Sequence, residues 1–380
     1  MNNFSNELKL IFLLSQIHPS KKELRQLLQK GINETHFLDL AFANGVFPLV
    51  CKVLNEHSIH LPNNDYKKTF QQTVTDNFYI SAQLLHIIHL LKLRNISIIP
   101  IKGPLLSQHA YQDISLRAFS DLDILAKEED LIDISNILIA LGYKSEHDIA
   151  ALHHPHILNQ FSDISFTHQV SGLSIELHWK LLKSASAELA QVPNLFKNAI
   201  PIDFQNTSLL SLPLEEEFLY LCVHAAKHRF ERVEWMNDLN RLYELYHETY
   251  DWDKILSIAD KEGFTVPYLL GLYILYKTYK RDIIHTKSRK HMFSKKISRF
   301  YHKVLTLHTE GYVLKDKKQG IRWKELSFSI ALESRLDKKL KHVLHLAFPL
   351  YIDDILAVKN RPKYLYFLYY FKRIQRYFKS

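Results

Sequence analysis

The chain has 380 residues, 47% of them hydrophobic, which is enough apolar material for two or three domains with a buried core. Its 49 Lys and Arg against 40 Asp and Glu leave a net charge of +9, a balance that favours anionic partners such as nucleic acid, nucleotides or a lipid surface. Nine glycines exclude a collagen-like or glycine-rich disordered chain and argue against a large β-sandwich; two distant cysteines, Cys51 and Cys222, support neither a disulfide framework nor a cysteine zinc site and fit a reducing cytosol.

Near the start, the apolar run Leu10–Leu14 follows Glu7 and Lys9 and is too short for a signal peptide. No stretch approaches the ~20 apolar residues of a membrane-spanning helix. The expectation is a cytoplasmic protein, at most peripheral to a membrane. Residues 1–95 read as a helical region. Glu23–Lys30 are good helix formers, apolar residues recur at helical spacing from Phe37 and through Val46–Leu54, and a turn at Leu61–Asn64 precedes a long helix over Tyr66–Leu93. The period then changes. Ile96–Ile101 is short and β-branched, as a buried strand is, and Lys102-Gly103-Pro104 ends it, with Pro104 suited to open a helix through Tyr111. Ser120–Leu125 alternates as a half-buried strand does, and Lys127–Leu141 is a helix closed by Gly142. Phe161–Val170 and Leu173–Trp179 alternate again around a hairpin turn at Ser171-Gly172, and from Pro213 the pattern is helical almost to the end. This order predicts an α+β fold: a small mixed β-sheet core at 96–205, flanked by the N-terminal helices, a helical region at 206–276 and a C-terminal helical region at 277–380.

A strand that ends in glycine at a helix start leaves backbone N–H groups pointing outward, a natural seat for phosphate, and Lys102 adds charge at its rim. Asp121 and Asp123 are two apart on one strand, so both carboxylates project from one face. Carboxylates that close repel one another unless a cation lies between them. Hard divalent ions such as Mg2+, or Mn2+, take oxygen ligands of this kind and leave room for substrate phosphates. Ile175-Glu176-Leu177 supplies a third carboxylate, Glu176, from a neighbouring strand, with His178 on the same face. Three carboxylates on two strands beside a glycine turn are the parts needed for two-metal nucleotidyl transfer.

The runs KGPLL, LRAFSDLDIL, LGY after a helix, and IELHWKL, with HAAKHRFERVEWMNDL further on, resemble the uncharacterised nucleotidyltransferase family of the DNA polymerase beta-type superfamily. The similarity spans residues 10–245 and is strongest in 98–145 and 173–180. It implies a nucleotidyltransferase core in which Asp121 and Asp123 bind two metal ions, Glu176 completes the catalytic metal site and helps activate the acceptor hydroxyl, and Gly103 shapes the triphosphate turn. It also implies a cleft wall opposite the carboxylates formed by His224, Lys227, His228 and Asp238, where Lys227 meets a phosphate or the acceptor. Gly103 is followed by Pro104 where the wider superfamily has Ser, so a phosphate-binding hydroxyl and an N–H are both missing.

Plainer alternatives stand beside several of these roles. Arg117 is either an electrostatic clamp on phosphate or a surface-loop arginine. His178 either orients Glu176 or is a packed, hydrogen-bonded histidine. His224 and His228, at i and i+4, share a helix face but lack the intervening glutamate of a zinc protease, and an ordinary amphipathic helix is the other reading. His153-His154-Pro155-His156 falls in a Pro-containing loop with no fixed ligand geometry.

Charge is unevenly spread. Residues 1–276 carry 23 Lys and Arg against 32 Asp and Glu, a net of −9, whereas 277–380 carry 26 against 8, a net of +18. One dense part is Lys277–Lys303; another, Lys359–Lys379, interleaves Tyr and Phe with base. Such texture suits single-stranded RNA, an anionic membrane surface, or packing on the protein body.

The expectation is a metal-dependent nucleotidyltransferase moving NMP from an NTP to an acceptor that no residue identifies, in an oligomeric state left open. Its alternative is a non-catalytic module that keeps the fold and recruits nucleic acid or an anionic membrane surface through residues 277–380. From carboxylate repulsion, Asp121→Ala and Asp123→Ala should each abolish transfer and leave the fold intact or firmer.

Overall fold

The computed structural model describes residues 4–16, 19–59, 65–182, 192–283, 286–309, 323–347 and 352. Ser5, Ser20 and Asn33 each accept a hydrogen bond from the backbone N–H three residues on, and so start α1 (Asn6–Leu14), α2 (Lys21–Gln29) and α3 (Glu34–Ala43). Gly45, left-handed at φ +71°, turns the chain into α4 (Phe47–Glu56), and α5 (Asp65–Lys92) follows.

The middle of the chain runs β1 (Ile99–Pro100), α6 (Gly103–Tyr111), β2 (Asp121–Leu125), α7 (Leu131–Ala140), β3 (Tyr143–Ser145), α8 (Pro155–Gln160), β4 (Asp163–His168) and β5 (Ser174–His178). The five strands form one sheet in the order β1-β2-β5-β4-β3. β2 and β5 are parallel and the other pairs antiparallel, so the sheet is mixed and the fold is α+β. The helix expected from Lys127 begins as a 3-10 turn at Glu128–Asp130. Residues 153–156, expected as a loop, mostly join helical elements: a 3-10 turn ends at His153 and α8 begins at Pro155, with His154 extended between them.

After α9 (Val192–Lys197) the structure has a hairpin that the sequence reading missed, β6 (Ile200–Phe204) and β7 (Thr207–Ser211). Gln205 and Asn206 are both left-handed, at φ +51° and +62°, as a two-residue turn matching the strand twist requires. The boundary expected after residue 205 lies inside this turn. The remaining helices are α10 (Leu214–Lys227), α11 (Val233–Tyr246), α12 (Trp252–Glu262), α13 (Thr265–Thr278), α14 (Thr286–Met292), α15 (Lys295–Thr309), α16 (Trp323–Leu332) and α17 (Leu336–Ala347). The aromatic and basic run Lys359–Lys379 lies outside the described residues. Among the described residues, no helix is long and apolar enough to cross a membrane.

Strand alternation gives the sheet two unlike faces. Leu122, Ile124, Ile175 and Leu177 share a core with Leu84 and Ile87 of α5 and with Ile134 and Leu138 of α7. The other face turns Asp121, Asp123, Glu176 and His178 toward the helices. Those helices share a second core drawn from both ends of the chain, in which Phe12, Leu14 and Phe37 join Phe218, Leu239, Leu270 and Phe300. Asn44 fastens the two halves of this core. Its carbonyl accepts from the Glu234 N–H, and its side-chain oxygen from the Val233 N–H, both at 3.1 Å, capping α11 from outside the helix. A Cβ on Gly45 would stand 1.6 Å from Glu234 Oε2, so this approach requires glycine.

Candidate functional site

The parallel pairing of β2 with β5 sets Asp123 beside Glu176 and Leu125 beside His178. Neighbours in register point the same way, so Asp123 and Glu176 share the polar face by construction. With Asp121, Lys102 and Gly103 they line one wall of a cleft of about 710 Å³ between the sheet and the helices. Gly103 holds the corner where β1 gives way to α6. Its φ is +55°, and a Cβ there would lie 3.3 Å from the Asp121 carbonyl oxygen.

Asp123 is the centre of the wall. Lys102 Nζ lies 2.9 Å from its Oδ2, and His178 Nε2 lies 3.1 Å from its Oδ1 and 3.4 Å from Glu176 Oε2. Burial disfavours an ionised Asp123, but the His178 hydrogen bond and the Lys102 charge outweigh it and hold this carboxyl well below the usual range. For His178 burial again opposes charge, and the bonds to Asp123 and Glu176 win, raising it to about 9. Lys102 is likewise held charged against its burial by Tyr220 and Asp123. Asp121 behaves in the opposite way: burial and then the Asp123 charge push its pKa up, with Lys102 only partly offsetting them.

This corrects the expectation that removing either aspartate relieves repulsion. The unfavourable charge rests on Asp121, while Asp123 has two cationic partners. Among the described residues, the ligand atoms of Asp123, Glu176 and His178 lie within 4.8 Å of one another; Asp121 lines the same wall but is outside that tight group.

The facing wall comes from α10 and the start of α11. Tyr220 and His224 of α10 and His228, which caps its end, recur every four residues, with ring centroids 5.9 and 4.9 Å apart. Trp235 packs on both histidines, at 5.7 and 5.2 Å, and the Arg232 guanidinium lies 5.7 Å from its indole. Lys227 lines the same cleft. Burial, then the charges of Lys102 and His228, pushes His224 well below an ordinary imidazole, so it is neutral. Tyr220 and Lys102 line the cleft from its two walls. Neither Tyr220 nor Trp235 stood out in the sequence. Continuing the His224–His228 spacing back by four would have found the tyrosine.

Two residues expected at the cleft have other partners. The Arg117 Nε is 3.0 Å from Asp238 Oδ1, and Nη2 is 3.1 Å from Asp238 Oδ2 and 2.9 Å from Glu234 Oε1. Arg117 borders the cleft, but its charge is already matched by two buried carboxylates and is not available to clamp phosphate. Asp238 is sealed, does not appear in the cleft lining, and also accepts from the Tyr111 hydroxyl at 2.8 Å. Arg117 and Asp238 are therefore a strut joining the loop before β2 to α11.

No curated protein and no solved structure matches the chain. A family model described as an uncharacterised nucleotidyltransferase matches residues 30–280, a span that takes in the sheet, both walls of the cleft and the strut between them. The chain belongs to that nucleotidyltransferase family.

Proposed function

We propose that this protein transfers a nucleoside monophosphate from an NTP to an acceptor, in the cleft between the sheet and α10. The observation that carries the reading is the register pairing of Asp123 with Glu176, with Asp121 two residues away on the same face. The residues suit a divalent cation through the chemistry of the donor set. Carboxylate oxygens of Asp123 and Glu176 lie within 4.8 Å of one another, and Asp121 is disfavoured as an anion by its burial and its neighbour's charge. Asp121, Asp123 and Glu176 would hold Mg2+ or Mn2+, which supplies Lewis-acid charge to the phosphates and lowers the pKa of a bound acceptor oxygen.

The chain's own groups then have distinct tasks. The side chain of Glu176 is 40% exposed against 3% for Asp123, so its carboxylate is the one open to an acceptor and takes the hydroxyl proton. The acceptor oxygen bonds to the α-phosphorus as the bond to the bridging oxygen breaks, and pyrophosphate leaves. Lys102 and Lys227 supply positive charge on opposite sides of the cleft to steady the phosphates, and His178 fixes the Glu176 and Asp123 carboxylates.

The test is a screen of the four NTPs with Mg2+ or Mn2+ against a metabolite pool, with pyrophosphate release as readout. Release in the native protein and none in Asp123→Asn supports the reading. Nucleotide binding without release from any mixture would leave the non-catalytic module.

A further inference from the structure

Helix α17 is mounted with its polar side inward. Lys338 Nζ donates to the Glu262 carbonyl at 2.9 Å, His342 Nδ1 lies 3.2 Å from Glu333 Oε1, and just before the helix Arg335 donates to the Lys261 carbonyl at 3.0 Å. The apolar side faces out. Leu336, Leu340 and Val343, at i, i+4 and i+7, form one stripe and are 82%, 62% and 42% exposed. A surface helix of a globular protein ordinarily does the reverse and buries such a stripe.

Base predominates around the stripe, and its exposed acid, Asp337, is paired with Arg335 at 3.1 Å. Lys339 and exposed Lys341 stand on α17 itself. Lys296 of α15 is near enough to Lys339 that, after partial burial, this like charge pushes its pKa down. The wider segment 277–380 carries the +18. Leucines at the centre and lysines at the margin are what a helix lying in a lipid headgroup layer presents.

We propose that this face of α17 docks the protein on an anionic lipid surface, with Leu336, Leu340 and Val343 at the acyl boundary and the lysines among the headgroup phosphates. A nucleic acid would engage the lysines and leave the leucines in water. A second copy would set like charge against like.

The experiment is sedimentation of the full chain with phosphatidylcholine vesicles, with and without phosphatidylglycerol. The protein should pellet with the anionic vesicles only, and less as salt is raised. Replacing two stripe residues, L336D with L340D, should weaken pelleting by about tenfold or more and leave the melting temperature unchanged. Equal pelleting of this variant, or a wild-type chain that binds RNA but not anionic vesicles, would overturn the proposal. So would a fall in melting temperature, which would mean that the chain itself covers the stripe, or a solution dimer that the variant dissociates.

Discussion

Arg117 and Asp238 are 121 residues apart in sequence and meet through hydrogen bonds of 3.0 and 3.1 Å in a fully buried seam. A charge sealed in this way is costly to leave alone, because the desolvation already suffered is no longer offset by its partner. Asp238→Ala should therefore destabilise the protein by about 3–5 kcal/mol, read as a shift in the urea midpoint. Replacing both partners by apolar residues of similar size should recover much of that loss. A loss below about 1 kcal/mol in the single variant would show that the pair is not a strut.

The two aspartates of β2 should part company in stability while agreeing in activity. Asp123→Asn strips the counter-charge from Lys102 and His178 and should cost about 3 kcal/mol, as breaking a buried pair does. Asp121→Asn removes an anion that burial and Asp123 disfavour, and should raise the melting temperature in metal-free buffer. Both should lose pyrophosphate release. Parallel melting curves for the two variants would contradict the charge balance described here.

His308 supplies a pH dependence that involves no cleft residue. Its Nε2 is 2.8 Å from the Phe230 carbonyl, and burial depresses its pKa to about 4, against a partial opposing effect of that hydrogen bond. The Nε2 therefore carries the proton and donates. Above pH 6.5 both folded and unfolded chains keep the ring neutral and the group adds no pH dependence. Between pH 6.5 and 4 only the unfolded chain takes up the second proton, so stability falls as pH falls, by about 3 kcal/mol across the window. His308→Gln can still donate to the carbonyl and should flatten this part of the urea-midpoint profile; an unchanged slope would remove His308 as its source.

Gly45→Ala tests the docking of the N-terminal helices on α11. The left-handed backbone alone costs an alanine about 1–2 kcal/mol. The new methyl would also displace Glu234 Oε2, which Arg232 holds at 3.0 Å. Thermal unfolding should shift down accordingly, and a neutral substitution would mean that this contact yields without loss.

Local pattern made much of the site legible. Period-two alternation is enough to put Asp121 with Asp123, and Glu176 with His178, on a polar face, because a strand leaves side chains no other choice. The burial of Arg117 was not legible, since its partners lie on a helix more than a hundred residues away and nothing local distinguishes a buried arginine from an exposed one. The β6–β7 hairpin escaped for a different reason. Its turn uses Gln205-Asn206 without a glycine, the usual mark of two consecutive left-handed residues. Beside Gly103, Lys102 reads as a phosphate ligand; its engagement with Asp123 follows from the fold of the β1–α6 corner and could not be seen before it.

The shared helical core has a consequence for synthesis. Phe12 packs edge-on to His308 at 5.8 Å, so the first helix meets this partner only after nearly the whole chain has been made. At ~5–20 residues per second, the wait between the two is roughly 15–60 s. The sheet, whose strands all fall between Ile99 and His178, can form in the interval, while α1, α3 and α4 can pack on one another but leave exposed the apolar surface that later helices cover. A chaperone that shields the nascent amino-terminal helices should matter more to the yield of this protein than one acting after release.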